Sequence, residues 1–182
     1  MTSTLTDSGL TTGTWTIDPA HSEVGFVVRH LMTKVRGSFD TFSGEITVGD
    51  SAETSSVSVG IDVDSVNTRQ PQRDAHIKSA DFFAEDKKTI TFVSTGIRQD
   101  GDDYVITGDL TVNGVTNSVD LATEFVGVES DAYGNTKAGF DASTSISRKD
   151  FGVNFNVPLD GGKFLVGDKV DITLSVQAAK AA

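Results

Sequence analysis

The sequence predicts an all-β domain: an extended antiparallel barrel of about eight strands with one short inserted helix. Three observations carry that expectation. Apolar side chains alternate with polar or small ones along most of the chain, the period of a strand with one buried face. Successive runs are joined by Asp100–Gly101, Asn113–Gly114 and Gly134–Asn135, pairs that favour the tight turns of antiparallel hairpins. Only near Gln72–Ser79 does the period turn helical.

In chain order, the Thr- and Ser-rich stretch 1–13 reads as a flexible lead-in, and 14–178 as the barrel domain. Thr14–Val48 then reads as three strands. Within Ser22–His30 the residues Val24, Phe26, Val28 and His30 share one parity. In the third strand Val35, Gly37 and Phe39 keep one parity while Phe42, Gly44, Ile46 and Val48 keep the other, so an irregularity is expected at Asp40–Thr41 if all face one core. Ser55–Val66 alternates Val57, Val59, Ile61 and Val63 against polar residues. A helix of about two turns follows, with Pro71 near its start, Asn67 or Thr68 as its cap, Asp74 early and Lys78 late, as the helix dipole prefers. Asp81–Lys88 returns the chain to the sheet.

The second half is strand, turn, strand. Thr89–Gln99 places Ile90 and Phe92 on one parity but Val93 and Ile97 on the other. Tyr104–Val112 puts Tyr104, Ile106, Leu110 and Val112 on one side; Val115–Gly127 keeps Val119, Leu121 and Phe125 in phase; Lys137–Arg148 contributes Phe140, Ala142, Thr144 and Ile146. After a glycine-punctuated loop, Val170–Gln177 is the last strand. Sheets with one apolar face and little helix to cover them close on themselves, as a sandwich or a barrel. The long strands, with Gly37, Gly44, Gly60, Gly96 and Gly108 inside them, favour the barrel, and a barrel of about eight strands can hold one small ligand.

A formal charge of −11 and clustered bases nowhere argue against sequence-independent nucleic-acid binding and against docking to an anionic membrane. The absence of cysteine removes disulfides, thiolate metal sites and cysteine nucleophiles. No run is long enough to span a bilayer, so stable membrane insertion is not expected, and the opening residues lack the basic and apolar regions of a signal peptide, so the expected compartment is the cytoplasm. There is no G-x-S-x-G elbow, no G-x-G-x-x-G and no P-loop. His21, His30 and His76 form no spaced metal pair, and the carboxylates form no interpretable pair, so no catalytic residue, metal or cofactor is expected. Arg73 and Asp74 read as helix anchors. Inward phenylalanines are, on periodicity alone, more readily core than pocket.

With both ends laid out, the chain resembles the YceI-like family of lipocalin-like, polyisoprenoid-binding proteins. The resemblance rests on Trp15, Ile17 and Asp18 followed by His21 and Ser22, then Phe26, His30, Val35, Gly37, Phe39, Phe42 and Gly44. It continues with Arg73, Asp74, His76, Asp81, Phe82 and Phe83, then Thr91, Phe92, Gly108, Leu110, Thr111, Asn113 and Gly114. Arg148, Asp150, Phe151, Gly152, Gly167, Asp168 and Val170 complete it. It implies an extended eight-stranded lipocalin-like barrel whose apolar channel binds an isoprenoid, such as a quinone tail, or another long-chain amphiphile, without catalysis.

Under that reading the candidate ligand-binding residues are Phe26, Val28 and His30 on the second strand, with His30 the polar exception, and Phe39, Phe42 and Ile46 on the third. Phe83 and Phe92 flank the return from the helix, Ile106, Leu110, Phe125, Phe140 and Ile146 follow on later strands, and Phe151 lies beyond them. The resemblance leaves open whether the chain is a monomer or a homodimer. Many members of that family look exported, which the opening residues here do not match. Two rival readings stand beside it: an enzyme acting on an apolar substrate with His30 or His76 as base, and a structural barrel filled by its own side chains.

Overall fold

The alternating runs form strands in the computed structural model, which describes residues 8–181. The strands are β1 (Gly13–Ile17), β2 (Glu23–His30), β3 (Thr33–Phe39), β4 (Phe42–Val48), β5 (Ser56–Asp62), β6 (Val66–Asn67), β7 (Thr89–Asp100), β8 (Asp103–Val112), β9 (Val115–Ser130), β10 (Thr136–Ser147) and β11 (Val166–Lys180), with helix α1 (Pro71–Ile77) between β6 and β7. Every strand pairing is antiparallel. The ring β1-β4-β5-β7-β8-β9-β10-β11 closes through β1 and β11, a closed eight-stranded barrel. β2, β3 and β6 prolong β1, β4 and β5 past kinks, continuing the wall along the first half of β11.

The kink between β3 and β4 falls on Asp40–Thr41, where the parity slip predicts it. Phe39 pairs with Val24 and Phe42 with Ile61, and both rings face the interior. A second irregularity resolves the mixed parity of β7. The register shifts between Ser94 and Gly96, so Ile90, Phe92 and Ile97 all face inward while Val93 is exposed.

Gly37 and Gly108 are thin spots in the wall. A Cβ on either would lie 2.4 Å from a phenylalanine ring, Phe26 in the first case and Phe92 in the second. Gly60 and Gly96, by contrast, have open space where a Cβ would go. Gly108→Ala is therefore expected to lower unfolding stability by about 1–3 kcal/mol in urea titration, the usual cost of overpacking, whereas Gly60→Ala is expected to be neutral within about 0.5 kcal/mol.

The kink between β1 and β2 is a single turn, Pro19–His21, pinned to β11. Asp18 N–H donates to Gln177 O at 2.8 Å, and Gln177 N–H to Ser22 Oγ at 2.9 Å. Asp18 collects His21 Nδ1 at 2.7 Å, Lys137 Nζ at 2.9 Å and Ala20 N–H at 3.0 Å. The hydrogen bonds from His21 and Lys137 hold its carboxyl down at about 2, below the ordinary 3.8. A carboxyl depressed in the folded state contributes stability above its unfolded value and loses it as pH falls through the folded one. Stability is thus expected to drop between about pH 4 and 2, and Asp18→Asn to flatten that part of a pH series of urea midpoints.

Thr14–Val48, expected as three strands, forms four, Ser55–Val66 divides into β5 and β6, and β9 runs on to Ser130. The cap of α1 is Gln70, whose side chain accepts from Arg73 N–H, because Thr68 is taken by other bonds. Thr68 N–H and Oγ1 donate to Asp74 Oδ1 at 2.8 and 2.6 Å, and Arg73 reaches Thr68 Oγ1 and O at 2.8 and 2.7 Å. Arg73 and Asp74 thus anchor the helix, as expected. Of the expected lead-in 1–13, residues 1–7 lie outside the described residues, Leu10 is buried in the core, and β1 already starts at Gly13. β11 also starts earlier and ends later than expected, because its ends pair with His30 and with Trp15.

Candidate ligand cavity

The inward parities leave an internal cavity of about 310 Å³. That is at the lower end of the roughly 300–1,000 Å³ of ligand pockets and far above the roughly 10–15 Å³ that one water needs. The polar side chains on its wall are Ser55, Tyr104, Thr123, Thr144 and Arg148; all its other side chains are apolar. An apolar space of this kind does not hold ordered water, which needs two to four polar partners. Left empty, 310 Å³ forfeits about 7 kcal/mol of packing at ~24 cal/mol per Å³, a cost comparable with a domain's whole net stability. The side chains on the wall leave this space unfilled.

Phe26, Val28, Phe39, Phe42, Ile46, Phe83, Phe92, Ile106, Leu110, Phe125, Phe140, Ile146 and Phe151 all lie on the cavity wall. Two aromatic pairs sit within it, Phe26–Phe39 with centroids 5.3 Å apart and Phe125–Phe140 at 5.4 Å. His30 does not lie there. It closes the β2–β3 hairpin opposite Thr33, one step beyond the reach of the inward parity, so the expected polar exception is corrected. His76 faces Asp81, its Nε2 2.9 Å from Oδ2, and its ring meets Phe82 and Phe155 edge-on. No cluster of three or more His, Cys, Asp or Glu that could hold a metal occurs among the described residues.

The polar wall residue of greatest consequence is Arg148, whose side chain periodicity alone did not flag. It follows Phe140, Ala142, Thr144 and Ile146 in parity, so it points inward, and a charge ending an apolar series was the available signal. It is only 5% exposed. Its Nε donates to Gly167 O at 2.9 Å, Nη1 to Val153 O and Phe155 O at 2.8 Å each, and Nη2 to Val166 O at 3.3 Å. Burial presses its pKa downward, opposed by Asp168, 3.9 Å from Nη2. The guanidinium thus ties the two ends of the segment 153–167 together, and Phe151 and Val153 beside it belong to the buried core.

Fold and cavity together define an antiparallel barrel closed around one apolar chamber. The YceI-like domain profile matches residues 15–178, and the chain belongs to that family. It is 38% identical over 163 residues to protein YceI of Escherichia coli O17:K52:H18, covering 88% of this chain and 82% of that one. The crystal structure of Burkholderia cenocepacia BcnA superposes with a TM-score of 0.77 at 26% identity, covering 88% of this chain and 98% of that one. A polyisoprenoid binding domain from Saccharophagus degradans, implicated in plant cell wall breakdown, shares the fold alone, at TM-score 0.64 and 16% identity over 92% of this chain and 98% of that one. No helix among the described residues is long and apolar enough to cross a membrane.

Proposed function

We propose that this protein is a non-catalytic binder or carrier of one long apolar chain, an isoprenoid such as a polyprenyl compound or a quinone tail, held in the barrel cavity. The observation that carries the reading is the chamber of about 310 Å³ walled by rings and branched aliphatic side chains. Each methylene moved from water into such a wall is worth about 0.8 kcal/mol, so a few isoprene units offset the cost of association and reach micromolar affinity. The polyisoprenoid binding domain that shares this fold points to the same ligand class. Carriage is favoured over catalysis because Arg148, the charged group on the wall, already donates to four backbone carbonyls.

Native mass spectrometry of the delipidated protein after incubation with a lipid extract tests the reading. One bound isoprenoid per chain is expected; an unliganded spectrum alongside efficient hydrolysis or isomerisation of an added apolar substrate would overturn it in favour of an enzyme.

A further inference from the structure

Two hairpins meet at the barrel end closed by Arg148. One is the β2–β3 turn; the other spans 157–165, where Leu165 N–H donates to Val157 O at 3.0 Å and Leu159 N–H to Lys163 O at 2.7 Å. They are joined by a bond from Leu31 N–H to Leu165 O at 2.9 Å. Among the described residues, half of the large exposed apolar side chains sit on these two tips: Leu31 (50% exposed), Met32 (90%), Val157 (40%) and Phe164 (55%). Val93, Val115, Val126 and Tyr133 are scattered elsewhere along the strands and turns.

Leu31 breaks two local rules at once. It offers an aliphatic side chain to solvent, and it does so at φ +54°, a left-handed conformation that glycine or asparagine adopts more readily. Where conformation and solvation both argue against a residue, function is the expected reason. The charge at this tip also runs against the chain's net −11. Between Val24 and Phe39 the sequence holds Arg29, Lys34 and Arg36 and not one acid, and all three are exposed. Lys149, Lys163 and Lys169 add to them, with Lys149 Nζ 5.7 Å from the Phe164 ring centre. The acids on the same elements are Asp150, Asp160, Asp168 and Asp171, with Glu23 at the opposite end of β2, and two of them are paired with bases: Asp168 with Lys149 at 3.4 Å and Asp171 with Lys169 at 3.5 Å. At physiological ionic strength charges beyond about 8 Å are screened, so the local excess of cations governs a surface contact there.

We propose that this tip is a peripheral docking surface for an anionic lipid bilayer. Leu31, Met32 and Phe164 enter the interface between headgroups and acyl chains, while Arg29, Lys34, Arg36 and Lys149 face the lipid phosphates. Contact places the cavity end formed by Arg148 and Val166 against the membrane.

Flotation of the full chain with phosphatidylcholine vesicles, with and without phosphatidylglycerol, tests this. Binding is expected with phosphatidylglycerol and to weaken as salt rises. The triple variant Leu31→Asn, Met32→Ser, Phe164→Ser, which suits the left-handed position and removes no core contact, is expected to lose roughly tenfold or more in partitioning at an unchanged melting temperature. Lys34→Gln with Arg36→Gln is expected to remove the preference for phosphatidylglycerol. The vesicles contain no isoprenoid and a chain with its cavity blocked should float equally well, so failure here leaves the cavity reading standing. Absence of wild-type flotation, flotation of the triple variant at the wild-type level, or self-association that the triple variant abolishes without any vesicle binding would each overturn the proposal, the last in favour of a second copy of this chain.

Discussion

Arg148→Ala is expected to destabilise the protein by about 3–5 kcal/mol. The substitution leaves the carbonyls of Val153, Phe155 and Gly167 without their Arg148 donor, the first of them buried, while Val166 O keeps the bond from Asn156 Nδ2 at 2.7 Å. Each buried unsatisfied acceptor costs about 1–3 kcal/mol, reduced where the segment relaxes toward solvent. Relaxation is itself informative, because it detaches residues 153–167 from the barrel end and opens the cavity. Arg148→Lys keeps the charge but not the planar fork that reaches several carbonyls together, so it is expected to recover less than half of the loss. Urea unfolding reads the energy, and amide exchange at Val153, Phe155 and Val166 reads the detachment. A loss below about 1 kcal/mol for Arg148→Ala would show that the carbonyls are satisfied some other way.

The second large effect is on binding. Ala142 is a small residue on the cavity wall, opposite Leu174 and Thr123 in the neighbouring strands. Ala142→Phe puts a ring where ligand methylenes would lie. Displacing about four of them forfeits roughly 3 kcal/mol, on the order of a hundredfold in Kd. The ring also fills space that is otherwise void, so the unliganded protein is expected to be as stable as wild type or more so. That combination distinguishes a blocked cavity from a damaged fold, since a misfolded variant would lose stability and binding together. Isothermal titration and thermal unfolding of the same sample give both values.

Strand periodicity carried most of this architecture, and one irregularity was legible in it, while the register shifts at Gly139–Phe140 and between Val166 and Val170 were not. The parity slip at Asp40–Thr41 marks the kink that lets Phe39 and Phe42 face one cavity, whereas the mixed parity of Ile90, Phe92, Val93 and Ile97 is explained only by the bulge after Ser94. Asn113, at φ +52°, and Gly114, at φ +77°, form the hairpin turn their pairing predicts. The departures have a common physical origin in long-range contacts. His30 keeps the apolar parity yet ends in a hairpin, because a strand's end is set by its partners Thr33 and Val166 and not by its own period. Gln70 caps α1 because Thr68 is claimed by Asp74 and Arg73. The role of Arg148 was not legible, although its parity was, since its four carbonyl partners lie 5–19 residues away on a segment with no period to read.

The claim that the cavity holds an isoprenoid chain is tested most directly by the affinities of a series of isoprenoid alcohols differing by one unit. Affinity is expected to rise at least tenfold per added unit while the chain still lies within the apolar wall, and then to level off once the chamber of about 310 Å³ is full, at a shorter length for Ala142→Phe. An affinity that is independent of chain length, or that rises without a plateau and identically in Ala142→Phe, would place the ligand outside the barrel and contradict the account.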